Sequence, residues 1–152
     1  MRSTRVTRRV GAPRSSVYAV LIDADAVARW KVPDGMTAEV HAFDGREGGT
    51  FRISLTYETS TDAGKSSAHT DTYRGRFVEL VRNERVVEID EFETSDPAFA
   101  GEMTITITLA DSDGGTDVLA VHEGLPAGLS ISDNEAGWQS SLARLATLVE
   151  SS

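Results

Sequence analysis

Apolar and polar residues alternate with two different periods along this chain, and the change of period divides it. Residues 4–10 (TRVTRRV) alternate loosely and predict a first strand. Ala12-Pro13 then opens a helix, since proline is tolerated in a first turn. Val17, Val20 and Leu21 supply an apolar face, continued by Val27 and Trp30 after the Asp23-Ala24-Asp25 break. The break predicts two short helices, with Asp23 or Asp25 capping the second. Lys31-Val32-Pro33-Asp34-Gly35 reads as a loop.

From residue 36 onward the period becomes two, the mark of half-buried strands. Met36–Phe43 is one. Thr50–Tyr57 is the cleanest, with Phe51, Ile53, Leu55 and Tyr57 on one side and Arg52, Ser54 and Thr56 on the other. A polar hairpin tip is expected at 59–70. Strands over Asp71–Leu80 and Arg85–Glu93 follow, then Met103, Ile105, Ile107 and Leu109 alternating with threonines, a turn at Asp111–Gly115, and a last strand over Thr116–Gly124. At the end of the chain Trp138, Leu142, Leu145 and Val149 make one apolar stripe on a helix. Ser132 and Glu135 fit an S-x-x-E capping box, which predicts a helix start near Asp133. The sum is an α+β chain: a strand, two short helices, about six consecutive antiparallel strands, and a long helix whose stripe can cover one face of the sheet.

Composition narrows the classes. The length of 152 residues suits one domain. There is no cysteine, so no disulfide. The first ten residues contain no apolar h-region of a secretory signal, and the longest apolar run is far short of a membrane span; a cytoplasmic location is expected. Net charge is −9. A nucleic-acid binder needs a basic face, and the basic cluster here (Arg2, Arg5, Arg8, Arg9, Arg14) reads instead as a solvated edge strand protected by charge. No nucleic-acid partner and no membrane insertion are expected.

Several segments resemble a known group. APRSSVYAVLIDADAVARW is similar to the helix–helix entry of START-like (SRPBCC, Bet v 1-like, helix-grip) proteins. YRGRFVELVRNERVVE, GGTDVLAVHEGLP and GWQSSLARLATLV resemble the mid-sheet hairpin and the closing segment of the branch named after the activator of heat-shock-protein-90 ATPase homologue. The resemblance spans roughly residues 4–150 and treats residues 1–152 as a single START-like domain. It implies a helix-grip fold, a curved antiparallel sheet wrapped around the C-terminal helix with a cavity between them. It carries over no catalytic signature.

Alternation and that layout together predict a pocket lined by Trp30, Phe51, Ile53, Leu55, Tyr57, Tyr73, Phe77, Phe99, Met103, Ile105, Trp138 and Leu142. Such an apolar lining with few polar groups is the usual form of a small-molecule site. Polar candidates are His122, of which only it or Glu123 can face inward, and Glu91, which shares a strand face with Val87 and Ile89. Val86, Glu88, Asp90 and Phe92 form the other face, and the sequence leaves open which is buried. No catalytic residue is assigned. No metal or other cofactor is expected: His41, His69 and His122 are scattered, and the Asp111–Gly115 run lacks the ligands of a calcium loop. Gly45–Gly49 precedes a strand, unlike a phosphate loop. The expected function is binding of a small apolar or amphipathic molecule between sheet and helix. The alternatives are a cyclase-, dehydratase- or hydrolase-like enzyme in the same pocket, and a chaperone-interacting module. A homodimer through an edge strand is left open. The 59–70 tip and the Ser95–Gly101 loop with Phe99 are expected to gate the pocket.

Overall fold

The computed structural model describes residues 2–58 and 70–151. The elements run β1 (Ser3–Val10), α1 (Arg14–Leu21), α2 (Ala24–Trp30), β2 (Met36–Phe43), β3 (Thr50–Tyr57), β4 (Thr70–Val81), β5 (Arg85–Phe92), β6 (Met103–Ser112), β7 (Gly115–Glu123) and α3 (Ile131–Glu150). The seven strands form one antiparallel sheet in the order β1-β7-β6-β5-β4-β3-β2. The sheet curls as a half barrel, and α3 lies across its open side with the α1–α2 pair beside it, the helix-grip arrangement expected from the sequence.

Curvature is helped by two irregularities, one between Val40 and Ala42 on β2 and one between Phe77 and Glu79 on β4. An extra residue on one strand bends it and increases its twist. Gly75 serves the same sheet differently. A Cβ there would lie 2.5 Å from the Ile89 carbonyl oxygen and 2.6 Å from both Asp90 Oδ1 and the Phe51 ring, so only glycine fits.

The stripe of α3 is buried as its spacing requires: Trp138, Leu142, Leu145 and Val149 all face the sheet. Burial of each leucine contributes roughly 1.5–3 kcal/mol. The helix starts earlier than the S-x-x-E pattern predicts. Ser130, not Ser132, is the N-cap, its hydroxyl accepting from Asp133 N at 3.2 Å. Ser132 fits the box equally well in sequence, but Ile131 is already helical, which places Ser132 inside the first turn. Asp23 caps α2, accepting from Ala26 N at 2.9 Å.

β1 is an edge strand, as its charges suggest, but three arginines in or beside it are tied down. Arg2 donates to the Leu129 carbonyl, Arg9 to the Ser112 and Asp113 carbonyls, and Arg14, just past the strand, to Asp111 and the Asn83 carbonyl. Among the described residues no helix is long and apolar enough to cross a membrane.

An interior charged cluster beneath the helices

The register aligns inward side chains in rows across the sheet. One row runs Phe43, Phe51, Gly75, Asp90, Met103; the next runs Phe77, Glu88, Ile105, His122, Thr4. Two acids, Glu88 and Asp90, therefore enter the interior side by side, and a third, Asp71, is buried on β4. On β5 the buried residues are Val86, Glu88 and Asp90, while Val87, Ile89 and Glu91 are half exposed. This corrects the expectation for Glu91. It lies on the outer face, paired with Arg74 at 2.9 Å, and cannot anchor an interior ligand.

The compensating charge comes from the end of α2. Lys31 follows Trp30, the last helical residue, and reaches inward until only 12% of its side chain is exposed. Its Nζ donates to Glu88 Oε2 at 2.7 Å and stands 3.8 Å from Asp90 Oδ2. The ammonium also lies over the Phe51 and Tyr73 rings, 5.5 and 5.6 Å from their centroids, in cation–π geometry.

Burial by itself would push Lys31 down, but Glu88, then Tyr73 and Asp90, outweigh it and hold the ammonium above the ordinary lysine value. Burial would likewise raise Glu88, yet Lys31 and a hydrogen bond with Asp90 keep it below the usual carboxylate range. Asp90 goes the other way. Burial and the neighbouring Glu88 push it well above that range against the pull of Lys31. Burial raises the Tyr73 phenol. The cluster thus keeps the Lys31 ammonium against the Glu88 carboxylate, while Asp90 holds a proton more readily than an ordinary aspartate. Among the described residues Asp90 Oδ1 has no hydrogen-bond partner, and it sits in the space left by Gly75.

Further along the second row, His122 is the inward residue of the His122–Glu123 pair. Its Nδ1 accepts from Trp138 Nε1 at 3.0 Å and its Nε2 lies 3.2 Å from Met103 Sδ. An imidazole that accepts at Nδ1 is neutral, with its proton on Nε2. Burial, then Lys31, lowers its pKa to about 4.

A cavity of about 10 Å³, roughly one water's worth of space, lies against Lys31 and Glu88. Its other walls are Leu21, Val27 and Trp30 from the helices and Phe43, Phe51, Ile53, Phe77, Val86 and Ile107 from the sheet. Four residues expected in the pocket, Trp30, Phe51, Ile53 and Phe77, therefore meet there. Tyr73, Ile105 and Leu142 belong to the same buried core. Met103 packs with Leu125 and Leu129 in a smaller cluster, joined to the main site through His122 and Trp138. Leu55 and Tyr57, on the far half of β3, are only half buried. Phe99 is half buried in its loop, close to Gly128, and that loop is pinned by Gly128 N donating to the Ala98 carbonyl at 2.7 Å. Of the other expected gate, residues 59–69 lie outside the described residues.

Sequence reasoning missed Lys31, Glu88 and Asp90. Lys31 was assigned to a loop, and the acids shared a strand with a rival face of equal alternation. A charged residue directly after an apolar helical stripe, and a glycine in the strand beside two acids, were the available signals. Among the described residues no group of three or more His, Asp or Glu side chains converges to hold a metal ion.

The chain can be set beside known proteins on this geometry. A sequence model of the Activator of Hsp90 ATPase homolog 1-like protein family matches residues 11–150. A protein from Chromobacterium violaceum of known structure is 34% identical, with 98% of this chain and 97% of that one aligned at a TM-score of 0.87. A protein from Mycobacterium smegmatis is 18% identical over 97% and 90% of the two chains, TM-score 0.77. A protein from the dynemicin biosynthetic locus is 21% identical over 99% of this chain and 48% of its own, TM-score 0.69. The latter two show the fold alone. No functionally curated protein matches the chain. The chain belongs to the Activator of Hsp90 ATPase homolog 1-like family, within the START-like group.

Proposed function

We propose that the protein binds a small, mostly apolar molecule in the interior between the sheet and the helices, with its polar end against Lys31 and Glu88. The observation that carries this reading is the buried charged cluster itself. A lysine and two acids inside an aromatic core cost desolvation energy that a well-packed apolar core of the same volume avoids. Perturbed ionisable groups beside a cavity are where functional sites concentrate. The space is small as the chain is folded here, so a ligand enters by displacing side chains of its wall. The surface supports the interior reading over a chaperone-docking one. Among the described residues, the large apolar side chains left exposed are Val78 and Ile131, on β4 and at the start of α3.

A second reading draws on Asp90. A buried acid that holds its proton more tightly than the carboxylate beside it is an arrangement by which an enzyme donates and accepts protons in one pocket. It predicts chemical change of a bound molecule, lost in Asp90→Asn with binding kept.

Native and denaturing mass spectrometry of the protein as purified, followed by thermal-shift screening against lipids and aromatic compounds, tests the proposal. A co-purifying or stabilising apolar compound at one per chain is the expected result. A chain that stays empty through the whole screen sinks it.

A further inference from the structure

We propose that the outer face of the sheet carries a serine esterase centre acting on carboxylic esters, with Ser54 as nucleophile, His41 as its general base and Glu39 positioning His41. It is separate from the interior site, since these side chains stand on the outer face of β2 and β3.

Glu39 lies directly opposite Ser54 in the β2–β3 register. Val40 faces Ile53 and Ala42 faces Arg52, so His41, which the register skips, is the extra residue of the β2 bulge. Bulges are over-represented beside active sites, where they re-aim a side chain. Here the re-aimed ring bridges the other two groups. Its Nδ1 is 3.2 Å from Glu39 Oε2, and its Nε2 is 2.8 Å from Ser54 Oγ. A carboxylate only accepts, so the neutral imidazole carries its proton on Nδ1, and the bare Nε2 accepts from the Ser54 hydroxyl. Ser54 Oγ in turn accepts from Thr72 Oγ1 on β4, 2.8 Å away. An acid on one ring nitrogen and a hydroxyl on the other is the arrangement that activates a serine.

In the first step Ser54 Oγ bonds to the ester carbonyl carbon and its proton passes to His41 Nε2, while Glu39 steadies the imidazolium. The carbonyl oxygen takes up the negative charge. Arg52 stands two residues along the same strand face and brings a guanidinium to that side; Glu93 occupies two of its five N–H donors. The ester C–O bond then breaks, His41 gives its proton to the departing alcohol, and the acyl group stays on Ser54. Water repeats the sequence at the acyl carbon: His41 takes its proton and returns it to Ser54 Oγ as the carboxylic acid leaves. Ester and water become acid and alcohol, with no other reactant. An open groove of about 350 Å³, lined by Arg52, Arg74, Arg76 and Ile89, adjoins on the same face and can take the acyl chain. Its arginines are paired with Glu93, Glu91 and Glu102, so an uncharged chain suits it better than an anionic one.

The full chain is given p-nitrophenyl butyrate and, separately, a fluorophosphonate that attaches to activated serines with loss of fluoride. The natural chain should release p-nitrophenol, and peptide mass spectrometry should find one phosphonate per chain, on Ser54. Ser54→Ala should abolish the label and lower turnover at least about a hundredfold, and His41→Gln should do the same. Glu39→Gln should lower kcat at least about tenfold with KM unchanged, because Glu39 acts through His41 and does not touch the ester. The label is read on the natural chain, so it stands whether or not a variant folds. No label on Ser54, or turnover that is the same in Ser54→Ala as in the natural chain, overturns the proposal.

Discussion

Lys31 keeps its charge inside the fold because Glu88 stands 2.7 Å away, and each depends on the other. Removing one partner of a buried pair leaves an uncompensated charge, typically a loss of about 3–5 kcal/mol. Lys31→Met should therefore lower stability by that amount at neutral pH in urea denaturation, whereas Lys31→Met combined with Glu88→Leu should recover most of it. The pH dependence follows from two opposed groups. His122 has a folded pKa near 4, below the ordinary 6.5, so below pH 6.5 the unfolded chain takes up a proton that the native one refuses. Stability from this group falls as pH drops from about 6.5 to 4. Asp90, raised by burial and Glu88, holds a proton in the native state after the unfolded chain has lost it. Its contribution falls as pH rises above about 4. Just above about pH 4 the two contributions slope in opposite directions and offset each other. Asp90→Asn should expose a stability that climbs with pH, and His122→Gln one that declines. Identical profiles for the two variants would refute the charge states assigned here. None of this could be read from VVEIDEF alone. Its two faces alternate equally well, and the more apolar one, with Val87 and Ile89, turned outward. What decided the matter was Lys31, a partner far away in sequence whose inward direction only the fold reveals.

Whole elements were easier to read, because each carries its own period. The α3 stripe and the threonine-spaced apolar residues of β6 needed no distant information, and both faced inward as their spacing required. The boundary of α3 was less legible, since two serines two residues apart both suit a cap. Ser130→Ala should cost about 1 kcal/mol, the usual worth of a lost N-cap, and Ser132→Ala less than about 0.5 kcal/mol, as for ordinary surface changes; thermal unfolding of the pair checks the assignment. On β4, Gly75→Ala forces a methyl to within 2.6 Å of Asp90 Oδ1 and the Phe51 ring. Overpacking of that kind costs roughly 1–3 kcal/mol. Since the methyl pushes on the acid that neighbours Lys31, the variant should also shift the Asp90 carboxyl signal in a ¹³C NMR titration.

On the scale of the whole molecule, the sheet is a meander from β2 to β7 in which each strand pairs with its neighbour in sequence. β1 is the exception, since it pairs with β7, Ser3 opposite Glu123. Contacts of such separation carry the largest loop-closure cost, so β1 should dock after the transition state. Val6→Ala, in the middle of that strand, should leave the refolding rate nearly unchanged and speed unfolding about tenfold, in stopped-flow chevrons. Slower refolding would place β1 in the nucleus instead. The same pairing has a consequence during synthesis. β1 is made before β7, its strand partner, and at about 5–20 residues per second the roughly 120 residues between Ser3 and Glu123 take on the order of ten seconds to emerge. Through that interval a seven-stranded sheet's terminal strand waits on the ribosome with nothing to pair with. Its arginines, Arg5, Arg8 and Arg9, are the residues that discourage a nascent neighbour from pairing with it first.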